Sequence, residues 1–275
     1  MSDPQSIHAA NPDPVYPDRW TVIAIAIVAT VCSDLIHEGI GHGGACLLTG
    51  GRPLVLSTVH FDCGGGGIAV AAGGTIANLI AGVVFWFASG QVRHATRLRF
   101  FLWLSMTLNL LGASGYFLFS GVGNIGDWAD VIQGERPVWL WRVGLTLLGV
   151  LSYLLFVWIA LLEMRPFLGQ DRAARVRRAR SLTLRPYLTD GILSCIAGLF
   201  NPIGMILVAI SAAAASFGGA SALVWMPEWL HGNRIRSTEF QMPPLKRSRA
   251  WIASAAVVAL VFIFALGRGV KFHSQ

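Results

Sequence analysis

Apolar residues along this chain come in long runs, not in the alternation of a soluble domain. Runs at about 20–46, 68–90, 99–121, 139–163 and 251–267 each reach the roughly 18–20 residues that a helix needs to cross a bilayer. A further apolar region at about 188–226 is too long for one crossing at about 1.5 Å per residue. Asn201-Pro202 and Gly218-Gly219 offer two places to break it, which predicts one span plus a re-entrant or interfacial piece. Between the first two runs, Gly50-Gly51 and Pro53 end any helix. Leu54 to Phe61 then alternates loosely, and four glycines follow Cys63, a pattern that suits a short strand or hairpin. The expectation is an all-α polytopic membrane protein with about six transmembrane helices and a small β-hairpin between the first two. Its parts would be a tail at 1–19, a four-span core at 20–163, an Arg-rich connector at 164–187 and a C-terminal segment of two or three spans at 188–275.

Composition strengthens this picture. Hydrophobic residues make up 54% and charged residues only 13%, against about 25% charged in soluble domains. Mean hydropathy is +0.60. The tail carries Asp3, Asp13, Asp18 and four prolines, so it reads as a disordered lead-in and not as a secretory signal.

The net charge of +7 comes from arginines between the apolar runs, with no interleaved aromatic platform, which argues against nucleic-acid binding. Arg93, Arg97 and Arg99 mark one connector as cytoplasmic, and Arg172, Arg175, Arg177, Arg178, Arg180 and Arg185 mark another. The connector between them carries Asp127, Asp130 and Glu135 and faces the other side, which puts the N-terminus in the cytoplasm. The expected setting is a multi-pass protein of a bacterial cytoplasmic membrane, with the lipid bilayer as its first partner. The four cysteines have no CxxC spacing; Cys46 and Cys63 are able to pair, although nothing in the sequence demands it.

The informative residues are those that lipid should exclude. The first run ends in Asp34, His37, Glu38 and His42, each costly to bury at membrane depth. On an ideal helix with Asp34 at zero, His37 falls near about −60°, Glu38 near about 40° and His42 near about 80°. One face of the helix is therefore polar. Imidazoles beside a Glu suggest a metal with a general base, since Glu can take a proton from water on a Lewis-acid ion.

The usual spacing is HExxH, with its histidines at i and i+4; here HEGIGH sets them at i and i+5. On a straight helix the two rings would diverge. A π-bulge, whose repeat is i to i+5, would bring them back together, and Gly39 and Gly41 would ease it. An alternative ligand set is Asp34, Glu38 and His42. A site with two His needs a third protein ligand, for which Asp127 is the stronger candidate and Asp130 the weaker. Asn78, Asn109 and Asn124 suit interhelical hydrogen bonds or the site, and His60 suits a surface position.

This order of features resembles the site-2 protease family of intramembrane zinc metallopeptidases over about residues 20–135. HEGIGH stands where that family has HExxH, residues 54–67 stand where it has a membrane-associated hairpin, and Ala72-Gly73-Gly74-Thr75-Ile76-Ala77-Asn78 resembles its aGPxaN motif with Gly74 in place of Pro. Asn109 and then GNIGDW follow in order, with Trp128 after the Asp where the family has Gly. The resemblance implies Zn²⁺ held by His37, His42 and Asp127, with Glu38 as general base. It implies that Asn78 helps hold substrate or the oxyanion, and that a transmembrane protein is the substrate, adding as a strand at the edge of residues 54–61. Two alternatives remain open: an inactive relative that binds metal or membrane helices, and an ion or proton-coupled transporter.

Overall fold

The computed structural model describes residues 16–169, 171–204, 208–231 and 238–272. Most of the tail, at 1–15, lies outside these residues. Helix α1, Arg19–Leu48, opens on Asp18, whose Oδ1 accepts from the Thr21 backbone N–H at 2.9 Å and from Thr21 Oγ1 at 2.8 Å, a side-chain cap on the free helix start. Next come α2 (Ile68–Gln91), α3 (Thr96–Gly123), a short α4 (Asp127–Ile132), α5 (Val138–Phe167), α6 (Arg172–Leu199), α7 (Val208–Gly218) and α8 (Arg249–Leu266). Five of these, α1, α2, α3, α5 and α8, are long and apolar enough to cross a membrane, one fewer than the sequence predicted.

The difference lies in residues 164–231. The arginines from Arg172 onward were expected to mark a connector, but they occupy the first half of α6, which runs on past residue 187 into the apolar region. Ala, Leu and Arg are all good helix formers, so charge at this point does not interrupt the helix. Asn201-Pro202 does break the chain as expected. Beyond it, α7 has the wide turns of a π-helix and stops at Gly218, short of a full crossing.

Helix α3 is central. Of its most apolar stretch 72% is buried, against 11% for α8. Phe100, Trp103, Leu104 and Met106 pack against Val157, Leu161 and Met164 of α5 and Ile25 of α1, all at or near zero exposure. The Trp103 indole donates to the Ala160 carbonyl at 2.9 Å, which satisfies the one polar group this ring buries. The outer faces are apolar as well: Phe87, Leu147, Leu151, Leu154, Val257 and Leu260 are all exposed.

The chain between α1 and α2 forms two strands, β1 (Arg52–Leu56) and β2 (Phe61–Gly64), paired antiparallel with Leu56 opposite Phe61. A third strand, β3 (Val270–Lys271), pairs with the other side of β1, with Val55 opposite Lys271. The expected hairpin is therefore a sheet of order β2-β1-β3 with β1 in the middle. This corrects the expectation that residues 54–61 offer an open edge for substrate. Both sides of β1 are taken, and the sheet's two outer edges belong to β2 and β3. Cys46 and Cys63 are bonded, tying β2 to the end of α1. At the opposite end, the Asp18 N–H donates to the Leu245 carbonyl at 2.8 Å and the Ser248 N–H donates to Thr21 Oγ1 at 2.9 Å, so α1 and α8 start side by side. The molecule thus has a sheet end, and an opposite end where α1 and α8 begin and the basic segment between α2 and α3 lies.

Helices α1 and α2 touch backbone to backbone near the sheet end. A Cβ on Gly41 would lie 2.5 Å from the Gly74 Cα, and one on Gly73 would lie 2.5 Å from the Gly41 carbonyl oxygen. Small residues permit this approach, as they do between membrane helices generally. Gly39, one turn position away, meets nothing within 4 Å. Gly41→Ala should therefore destabilise the fold by about 1–3 kcal/mol through overpacking, and Gly39→Ala should be near neutral. Thermal unfolding of the three proteins in one detergent checks this; equal melting temperatures for Gly41→Ala and the parent would contradict it.

Candidate metal centre

The motif's extra residue is absorbed where the sequence asked for it. Residues Leu35–Gly43 of α1 form a π-helix, so His37 and His42 fall one turn apart on one face. Their Nε2 atoms are 3.2 Å apart. Asp127 arrives from the first turn of α4, held there by the left-handed Asn124 (φ 54°) and Gly126 (φ 85°) that turn the chain after α3. Its Oδ2 lies 3.2 Å from His37 Nε2 and 3.5 Å from His42 Nε2. Both histidines are buried.

Three donor atoms aimed at one point fit a metal ion. Bonds of about 2.0–2.1 Å in a tetrahedron set ligand atoms about 3.3–3.4 Å apart, close to the three spacings observed. The outer nitrogens agree. His42 Nδ1 lies 2.6 Å from the Val70 carbonyl oxygen, which can only accept, so Nδ1 carries the proton and Nε2 offers a lone pair. His37 Nδ1 lies 3.2 Å from the Asn78 amide nitrogen, while Asn78 Oδ1 has no partner. Amide oxygen and nitrogen occupy equivalent positions, and turning the amide over lets His37 donate to Oδ1. That satisfies the orphaned oxygen and frees His37 Nε2 as a ligand.

Other residues fall around this centre. Glu38 is buried, and its Oε2 has no hydrogen-bond partner. Together with His42 and Asp127 it lines a cavity of about 1270 Å³ bounded by β2, α3 and α7. On its other side Glu38 borders a polar chamber of about 90 Å³ with Asp34, Asp190, Thr30 and Thr58. Asp34 therefore faces the chamber, and the alternative set of Asp34, Glu38 and His42 is not brought together; the described residues that converge are His37, His42 and Asp127. Asp130 is exposed and stands outside the cluster, on the wall of the large cavity. His60 bonds Ser57 Oγ at 3.0 Å and is half-buried on the same wall. Asn109 donates to the Ser105 carbonyl at 2.7 Å and serves α3 itself, while Asn124 ends that helix. Asn78 packs on His37, not on the large cavity.

Sequence reasoning missed several contributors. The Val70 carbonyl carries no sequence signal. Tyr116 stacks on His37, with ring centroids 4.6 Å apart and planes 19° apart, and it looked like one more aromatic in an apolar run. Asp190 bonds Thr30 Oγ1 at 2.9 Å; a lone acid within an apolar stretch was the available clue.

Gly74 explains itself at this site. A Cβ there would lie 2.6 Å from His42 Nε2 and 2.7 Å from His37 Nε2, inside the space an ion would fill. Gly74→Ala should abolish stoichiometric metal binding, while Gly90→Ala, on the same helix with nothing within 4 Å, should not. Asn78→Ala should weaken the metal about 10- to 100-fold by releasing His37. Competition with a chelator of known affinity measures both, and retention of full affinity in Gly74→Ala would contradict the site.

No family model matches the chain, and neither a curated protein nor a solved structure does.

Proposed function

We propose that the protein is an intramembrane zinc metallopeptidase, a divergent relative of the site-2 proteases. One observation carries the reading: a π-turn inside an apolar helix brings His37 and His42 to 3.2 Å and sets both against Asp127, with the buried Glu38 beside them. Two imidazoles and a carboxylate leave the fourth position of a tetrahedron open, as catalytic zinc requires. The same donors also serve octahedral ions; the buried Glu38 beside an open position is what makes zinc the reading proposed here.

When bound, zinc would polarise the substrate carbonyl and make water a nucleophile near neutral pH. The chain's own residues would do the rest. Glu38, which lines the cavity, would take the proton from water and return it to the leaving nitrogen. Phe61, Asp62 and Cys63 of β2 line the same cavity, and an unwound substrate segment would add as a strand to the outer edge of β2. Gly112 and Gly115 of α3 leave room for its side chains.

The five apolar helices and their exposed apolar faces support a bilayer around the molecule, in keeping with a bacterial cytoplasmic membrane. Disulfides belong to oxidising compartments, so the Cys46–Cys63 bond supports an extracytoplasmic sheet end. The arginines between α2 and α3, at the opposite end, agree with that orientation.

The decisive experiment pairs metal content with cleavage. Purified protein should bind one zinc, and His42→Ala and Asp127→Ala should both lose it. Glu38→Gln should keep zinc and slow cleavage of a membrane-embedded reporter about 10²- to 10⁴-fold. No zinc in the parent protein, together with cleavage unaffected by Glu38→Gln, would end the reading.

A second reading draws on the polar chamber. Asp34, Glu38 and Asp190 line it, and such intramembrane acids also mark proton paths. Proton flux in liposomes that Asp190→Asn abolishes would favour a transporter; no flux above empty liposomes would exclude one.

A further inference from the structure

We infer that Tyr116 is a catalytic residue: its phenol donates the hydrogen bond that stabilises the oxyanion formed when the peptide carbonyl is attacked. The inference rests on the peptidase reading above and adds a role that reading leaves empty. Attack on an amide places negative charge on the carbonyl oxygen, and a preorganised donor at that spot is a large part of most acyl-transfer catalysis. Asn78 is the donor the sequence suggested. In the fold its amide is engaged with His37 Nδ1 and is absent from the wall of the large cavity.

Tyr116 takes its place for three reasons. First, only Glu38, Gly112, Tyr116 and Ala215 line both the large cavity and the polar chamber, among the described residues. Of these four, Glu38 is the acceptor and Tyr116 the sole side-chain donor. Second, the ring is held by its stacking on His37, so the hydroxyl is fixed relative to a proposed ligand without bonding to it. Third, the other hydroxyls on the cavity wall are occupied. Tyr153 Oη donates to the Gly219 carbonyl at 2.9 Å or bonds Ser221 Oγ at 3.0 Å, and it accepts from the Ala222 N–H at 2.9 Å. Tyr116 has no hydrogen bond to a described residue.

The step balances without an added reagent. The water oxygen forms a bond to the carbonyl carbon, and the C=O π pair moves to the carbonyl oxygen, where the Tyr116 O–H hydrogen-bonds it and keeps its own proton. Glu38 takes the water proton. When the π pair returns, the C–N bond breaks and the nitrogen receives the proton from Glu38, giving a carboxylic acid and an amine.

The test uses Tyr116→Phe, which keeps the ring on His37 and removes only the hydroxyl. The full-length zinc-loaded protein in detergent is titrated by calorimetry with a leucine-rich phosphinic peptide, whose PO₂⁻ group mimics the attacked carbonyl, and with a peptide carrying an uncleavable N-methyl amide at the same position. Tyr116→Phe should bind the phosphinate about 10- to 100-fold more weakly than the parent does. It should bind the N-methyl peptide equally well and hold the same amount of zinc. An unchanged phosphinate affinity would overturn the inference and leave the peptidase reading intact, and so would an equal loss for both peptides. A parent protein that holds no zinc or binds no phosphinate would overturn both, and the Glu38→Gln comparison would then show the same failure independently.

Discussion

Everything proposed for this protein depends on two helices touching without side chains between them. Gly41 of α1 and Gly73 and Gly74 of α2 meet at backbone distance. That contact lets the π-turn of Leu35–Gly43 present His37 and His42 to a point against α2. A methyl group on Gly74 would occupy that point. The same residue therefore serves the helix packing and keeps side-chain atoms out of the point that the two rings face. The Val70 carbonyl and the Asn78 amide, one turn to either side of Gly74, then fix the two rings.

A buried site of this kind must be held by more than one element, because its polar groups have to find their hydrogen-bond partners within the protein. The described residues bring four elements to it: α1 gives both histidines and Glu38, α2 gives the outer partners, α3 gives Tyr116, and α4 gives Asp127. The sheet closes the nearby cavity, and the disulfide fixes β2 to the end of α1 that carries the motif. The energetic logic is that of any buried charge cluster. With the protons of His37 and His42 on Nδ1, their Nε2 lone pairs face the Asp127 carboxylate, an arrangement that a cation between the three atoms would reconcile.

Much of this was legible in the residues, for physical reasons. Apolar runs of bilayer length are a strong signal, and the five that became long helices were found within a few residues of their ends. The π-turn could be anticipated because only an i to i+5 repeat reconciles HEGIGH with convergence. What stayed hidden was long-range. The pairing of β3 with β1 joins residues some 200 apart, and no local pattern announces it. Helix α6 hid its extent behind its arginines, which mark loops in most membrane proteins and here form a helix. Asn78 was legible as a site residue but not in its contact with His37, since a side chain's direction depends on how α2 lies against α1. Tyr116 offered no contrast against its apolar neighbours.

The most direct test of the central claim is X-ray absorption at the zinc edge of the loaded protein. The account predicts two imidazole nitrogens and one carboxylate oxygen at about 2.0–2.1 Å plus one exchangeable light-atom ligand, and no bound zinc to give an edge in Asp127→Ala. A spectrum with a single imidazole, or one unchanged by Asp127→Ala, would contradict the claim that a π-turn unites both histidines with a carboxylate from α4.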